Sequence, residues 1–425
     1  MSDDGAVFHR KVAREMMARY AVDAHAPAGW RETLVWHWVQ AGEFGAAVDG
    51  AIAVAEAMIA QLDFASARRW VERALEYMEK LQKRRAYELR AYSAALAVLE
   101  FGGQYREALG YAERMVRAAR QHGGRQAQAH ALVALGRMQR ELNQLPQAEM
   151  TLAEALALAE TEDAGAVEAE VHFHLAKVYQ LQGRHMEALE GLQAAQEEHV
   201  QADDRIKLAR VLTGMGDVYR ALAASREALV FYQKALGLEQ GRASPLGQAM
   251  LKDKIALALL AEGRMDEAEL VGREGLLIRE QIGDTVGLAR SNSLLGMVAQ
   301  RLGHTDRAIE HYERARALEE QTQNVRGQHV SLLHLGDAYV ALRRYAEAGG
   351  YYRRALALAQ HTGDQVALAR TLEHQGDLLQ ASESQDAAER AWAEALRIRQ
   401  GLGHAEEAAA LRRRLGYMAM DSVDR

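Results

Sequence analysis

The sequence predicts an all-α protein, a solenoid of antiparallel helix pairs stacked along one axis. Three lattices with a common 40-residue interval carry this prediction. Gly136, Gly216, Gly296, Gly336, Gly376 and Gly416 fall on one lattice, and the nodes between them hold Ala176 and Ala256. A second lattice runs through Gly103, Asn143, Gly183, Ala223, Gly263, Gly303 and Arg343. The third is Ala108, Ala148, Ala188, Ala228, Ala268, Ala308, Ala348 and Ala388.

Each lattice has a physical reason. The first marks the middle of the first helix of a pair, where the second helix crosses closely and a large side chain would force the two apart. The alanines play the same part on the second helix, where overpacking costs roughly 1–3 kcal/mol. The second lattice marks the short turn inside each pair, rich in glycine because a helix C-terminus favours a left-handed residue. A single core stops growing at roughly 250–300 residues. This chain has 425, with no Pro/Ser-rich linker to divide it. A repeat array resolves that conflict, because its core extends along one axis. Only three prolines occur, as suits a chain that is nearly all helix.

In chain order, residues 1–83 lie off the lattice. A helix opens over Phe8 to Glu15, Trp30, Leu34 and Trp36-His37-Trp38 follow, and helices are expected at about 46–60 and 64–80. Residues 84–403 read as eight helix pairs. In the unit Asp284 to Gln321, Leu288, Leu295, Val298 and Leu302 recur at helical spacing on helix A, as do Ile309, Tyr312 and Leu318 on helix B. Asp284, Asn324 and Asp364 stand at helix starts, where Asp and Asn cap well. The pair that opens at Ser244-Pro245 departs most from the pattern and is the place to expect a bend. A last helix, about 404–418, caps the exposed end of the core, ahead of a tail to residue 425.

The stretch Leu335-Gly336-Asp337-Ala338-Tyr339, followed by Tyr345, Ala348, Tyr352, Ala355 and Leu356, resembles the tetratricopeptide signature. The 40-residue period and joins such as Gly363-Asp364-Gln365-Val366-Ala367-Leu368-Ala369-Arg370 resemble its Pins-type subfamily. The resemblance implies a right-handed superhelix whose A helices line a concave groove that takes a peptide or protein. Three inward positions can be carried across from the lattice glycine. The residue after it gives Arg137, Lys177, Asp217, Asp337 and Asp377. The residue six before gives His130, Glu170, Arg210, Arg290 and Arg370. The residue two before gives His174, Lys254, His334 and His374. These polar side chains either hold a ligand or bridge neighbouring repeats. Pins-type repeats commonly carry Asn where Asp217, Asp337 and Asp377 stand.

The order His9-Arg10-Lys11-Val12-Ala13, then Val35-Trp36-His37-Trp38, resembles the junction between ATPase and sensor in bacterial STAND regulators, the signal-transduction ATPases with numerous domains. That resemblance implies the sensor arm of a larger regulator, answering to a peptide, a protein or a small inducer. Trp36 and Trp38 lie on opposite sides of a helix. Either one packs inside and the other is partly exposed, or Trp30, Trp36 and Trp38 form an interface for a missing domain or a second copy.

No residue pattern supports catalysis. The sequence holds no Gly-x-x-x-x-Gly-Lys-Ser/Thr run, no Gly-x-Ser-x-Gly and no His-Glu-x-x-His. It has no cysteine, which excludes thiol nucleophiles and cysteine-held metals. His172 and His174 point about 200° apart on a helix and cannot share a metal. His9, His25 and His37 are scattered. No cofactor or metal is therefore expected. Fifty-two basic against 59 acidic residues give a net charge of −7, without a basic block to bind nucleic acid. No apolar run is long enough for a bilayer and no signal peptide follows Met1, so the cytoplasm is the expected compartment. The expected function is a ligand- or protein-binding sensor or scaffold. The alternatives are a self-associating structural scaffold and a non-catalytic accessory subunit of a caspase-like protease system.

Overall fold

The structure, a computed structural model, describes residues 3–21, 27, 29–61, 63–159, 165–241 and 244–416. Among these residues there are 21 helices and no strand. The chain divides into two compact units, Met1–Leu222 and Ala223–Arg425.

The first unit holds α1 (Asp3–Tyr20), α2 (Trp30–Gln40), α3 (Phe44–Ala60), α4 (Phe64–Glu79), α5 (Arg85–Phe101), α6 (Tyr105–His122), α7 (Arg125–Glu141), α8 (Leu145–Ala159), α9 (Gly165–Leu181), α10 (His185–Gln201) and α11 (Arg205–Ala221). The second holds α12 (Ser225–Gly241), α13 (Pro245–Ala261), α14 (Met265–Ile282), α15 (Thr285–Arg301), α16 (Thr305–Gln321), α17 (Val325–Ala341), α18 (Tyr345–Thr362), α19 (Gln365–Ala381), α20 (Gln385–Gly401) and α21 (Ala405–Arg414). Within each unit every helix packs on the next. Several odd-numbered helices also touch their odd-numbered neighbours, as α7 touches α9, α13 touches α15 and α17 touches α19.

The lattices explain this packing. All eight lattice alanines are 0% exposed. The lattice glycines Gly136, Gly296, Gly336 and Gly376 each accommodate the residue sixteen positions later, on the second helix. A Cβ at Gly136 would stand 2.6 Å from Leu152 Cγ, and one at Gly296, Gly336 or Gly376 would collide with the ring of Tyr312, Tyr352 or Trp392. Every described node of the turn lattice is left-handed, whether glycine or not: Gly303 has φ 79°, Asn143 59°, Ala223 56° and Arg343 57°. The predicted caps are in place, with Asp284 Oδ1 accepting the Gly287 N–H at 2.8 Å, Asn324 Oδ1 that of Gly327 at 3.1 Å and Asp364 Oδ1 that of Ala367 at 3.0 Å.

Three features differ from the sequence expectation. The helices α3 and α4 form a regular pair that repeats the lattice one residue out of phase, with Ala55 and Ala67 buried at the equivalent positions. The extra residue falls in the connection before α5, and a strict 40-residue interval misses the pair for that reason. Ser244-Pro245 begins an ordinary helix: Ser244 Oγ accepts the Gly247 N–H at 3.3 Å, and Pro245 sits in the first turn, where no N–H is lost. The last helix ends at Arg414, and Gly416 is a left-handed turn residue with φ 74° and not a helix-crossing glycine. Residues 417–425, the end of the expected capping helix and the tail, lie outside the described residues.

A fourth lattice emerges at the joints between repeats. His199, Glu239, Arg279, Glu319 and Arg399 occupy one position near the end of the second helix, and all are buried. Where this residue is Glu239, Arg279 or Glu319, the one eight positions later is Gly247, Gly287 or Gly327, and a Cβ there would strike the charged side chain. At the joint with small Ala359, Ala367 replaces the glycine.

Candidate functional site

The helices α13, α15 and α17 of the second unit together line an open pocket of about 510 Å³. Each presents the same face to it, α13 and α15 through positions i, i+4 and i+7 and α17 through i and i+4. From α13 come Met250, Lys254 and Leu257, from α15 Arg290, Leu294 and Met297, and from α17 Val330 and His334. These are the three inward positions marked in the sequence, measured from nodes 256, 296 and 336. Lys254, Arg290 and His334 are thus brought together. The five apolar side chains escape a reading that followed only polar residues, although their positions were marked. Arg326, at the start of α17, also lines the pocket and was not anticipated.

The charges beneath the pocket are largely spoken for. Arg279, 1% exposed, pairs with Asp253 and with Asp284 Oδ2 at 3.3 Å, and its Nη1 donates to Gly287 O at 3.0 Å. The Ser291 hydroxyl donates to Asp253 Oδ1 at 3.0 Å. Burial pushes the Asp253 carboxyl up, against the pull of Arg279. It likewise raises Glu319, which accepts the Ser331 hydroxyl at 2.7 Å. Arg290 and Arg326 are exposed and form no ion pair among the described residues. His334 lies tilted against Tyr312, ring centroids 5.0 Å apart, and its buried Nδ1 has no hydrogen-bond partner. Burial lowers its pKa, so the ring is neutral near pH 7.

Further along the second unit the marked residues are engaged within the protein. Asp337 Oδ1 accepts from Tyr352 OH at 2.5 Å and faces His374 Nδ1 at 2.8 Å. Asp377 Oδ1 accepts from Trp392 Nε1 at 3.1 Å and from Arg414 at 2.6 Å. Each aspartate thus holds the aromatic ring that fills the space beside the preceding lattice glycine. Arg370 is exposed and unpaired among the described residues.

In the first unit the equivalent side chains neutralise one another. Lys177 Nζ reaches Asp217 Oδ2 at 3.0 Å, a contact from one repeat to the next. Arg137 pairs with Glu100, and His130 lies 4.0 Å from Glu170. The Arg210 guanidinium rests over Phe173, 4.9 Å from the ring centroid. His174 is 3% exposed and accepts at Nδ1 from Arg140 at 3.2 Å. This places its proton on Nε2, toward Glu170 at 3.9 Å. Burial, reinforced by Arg140 and Arg137, lowers its pKa to about 4, with Glu170 opposing.

At the N-terminus Trp38 packs against the core of α3 and α4, Trp36 is 52% exposed, and Trp30 is half-buried beside Tyr20. His9 and His37, 28 positions apart, meet Nδ1 to Nδ1 at 2.9 Å where α1 packs on α2. Sequence spacing gives no sign of that contact, and His25 lies outside the described residues. Among the described residues no group of three or more His, Cys, Asp or Glu side chains is placed to hold a metal, and no helix is long and apolar enough to cross a membrane.

Family models described as tetratricopeptide repeat match residues 167–238, 247–321 and 331–366. No curated protein matches the sequence. Solved structures share the fold. The apo quorum sensor NprR from B. thuringiensis superposes with a TM-score of 0.57 at 13% identity, over 83% of this chain and 98% of that one. A Rap protein complexed with competence and sporulation factor gives 0.54 at 17%, over 80% and 98%. A signal-transduction ATPase with numerous domains and a tetratricopeptide repeat sensor, from Pyrococcus horikoshii, gives 0.55 at 15%, over 81% of this chain and 55% of that one. The chain is an all-α stack of tetratricopeptide-like helix pairs, and the matched stretches are tetratricopeptide repeats.

Proposed function

We propose that this chain is a non-catalytic sensor or scaffold that binds a peptide or protein along the odd-numbered helices of its second unit. One observation carries the reading. The three inward positions converge on a pocket where Arg290 and Arg326 form no ion pair among the described residues, whereas Arg137, Lys177 and Asp217 of the first unit are in ion pairs and Arg210 rests on Phe173. Cations held over an apolar floor and outside any ion pair are poised for a partner's charge. Similarity in fold to a Rap protein crystallised with competence and sporulation factor, and to a STAND protein with a tetratricopeptide repeat sensor, supports a signalling role. In that setting the chain is the arm whose occupancy releases an attached or separate ATPase.

The test is a peptide array probed with the purified chain, each hit confirmed by calorimetry. Saturable binding that Arg370→Glu and Arg290→Glu both weaken is the expected result. An array without a saturable hit, or hits indifferent to both substitutions, overturns the proposal. Self-association through Trp36 is the competing reading, and light scattering that shows a concentration-independent monomer removes it.

A further inference from the structure

The pocket has more chemical definition than a general peptide groove. Its volume, about 510 Å³, falls within the range of roughly 300–1,000 Å³ usual for small-ligand sites. Met250, Leu257, Leu294, Met297 and Val330 give it an aliphatic floor without an aromatic ring. At the rim stand the guanidinium groups of Arg290 and Arg326, both exposed and both unpaired among the described residues.

Neither of the two acidic groups in the lining forms an ion pair with these cations, although Asp253 lies close enough to Arg290 to feel its charge. Asp253 is committed to Arg279 and Ser291, and Glu319 is buried against Ser331. His334 adds an uncharged nitrogen, buried and without a partner, that can accept or donate one hydrogen bond. A guanidinium fork matches a carboxylate with two parallel hydrogen bonds. Flexible methionine side chains adapt to an aliphatic shape.

We propose that this pocket is a binding site for an aliphatic carboxylate, with the carboxylate on Arg290 and Arg326 and the hydrocarbon over Met250, Leu294 and Met297. The proposal deepens the groove reading above and rests on it. The same chemistry is available from a free medium-chain acid or from a peptide ending in an aliphatic residue.

The test uses the full chain labelled with ¹³C at its methionine methyl groups, so that Met250 and Met297 report from inside the pocket. The probes are octanoate, octanamide, and a pentapeptide with a C-terminal leucine prepared as the free acid and as the amide. Saturable shifts at both methionines are expected with octanoate, the free-acid peptide or both, and which of them binds identifies the source. Neither amide should shift them. Arg290→Gln should weaken binding by about tenfold or more, as loss of a charged hydrogen bond does. Because Arg290 is exposed, its substitution should leave the melting curve unchanged. The proposal is overturned if no probe shifts the pair, if amides bind as acids do, or if Arg290→Gln binds normally. Array peptides that still bind in an Arg370-dependent manner would then keep the groove reading while this one falls.

Discussion

Gly336 and Tyr352 share one space: the ring occupies the volume that a Cβ on the glycine would need. Sixteen positions separate them, and the chain repeats this reciprocal choice of sizes, setting Ala176 with Leu192 where it sets Gly336 with Tyr352. Gly336→Ala alone should destabilise the protein by about 1–3 kcal/mol through overpacking. Combined with Tyr352→Leu, the loss should fall short of the sum of the two single losses by about 1 kcal/mol or more, the mark of residues in contact. A double-mutant cycle from denaturant melts measures this, and strict additivity would refute the relationship.

Arg343 stands at a turn node with φ 57°, where its repeats-mates carry Gly303 and Gly263. A side chain in this region is strained. Arg343→Gly should therefore raise stability by about 0.5–1 kcal/mol, and Gly303→Ala should lower it by a similar amount. Thermal melts of the pair check the opposite signs.

His174 makes stability depend on pH. Its pKa falls from 6.5 to about 4 in the folded chain because burial disfavours the cation, so the folded state binds fewer protons than the unfolded one between those values. Its contribution is complete above about pH 6.5 and is lost as pH falls toward 4. At one unit per 1.36 kcal/mol the effect is of order 2–3 kcal/mol. The facing groups are Arg140, Arg137 and Glu170. Denaturant melts at pH 7 and pH 4.5 should show a smaller drop for His174→Leu than for the native chain, and equal drops would contradict the assignment.

Arg279 holds two aspartates, Asp253 and Asp284, below the pocket floor. Arg279→Met keeps the volume but strands both carboxylates, and the cost should be about 3–5 kcal/mol. Urea midpoints measure the loss. Partial recovery in the triple variant with Asp253→Asn and Asp284→Asn would show that stranded charge, not lost packing, is responsible.

Much of the fold was legible because it rests on identity at a fixed interval. Ala308 and Ala348 are the same residue in the same surroundings, so counting finds them. The helices of the pair α3–α4 were legible, but its place on the lattice was hidden by a single added residue, which shifts phase without changing packing. The joints were invisible for another reason. His199, Glu239, Arg279, Glu319 and Arg399 share a place but not a chemistry, and only for Glu239, Arg279 and Glu319 does a glycine eight positions on betray the joint. The inward positions of the site were legible from helical geometry. That Lys177 is paired while Arg290 is not follows from what stands one interval away, Asp217 for Lys177 but Met250 and Val330 for Arg290.

The joint pairs also bear on how such a chain can change. A module bounded by Glu319 and Gly327 does not fit one that ends at Ala359, because a charged side chain would then meet a methyl group and small residues would face a void. The connections behave like keyed couplings that fix the order of otherwise interchangeable parts. Duplicating or shuffling single repeats should therefore be tolerated only when the cut passes within a repeat and carries each joint across whole.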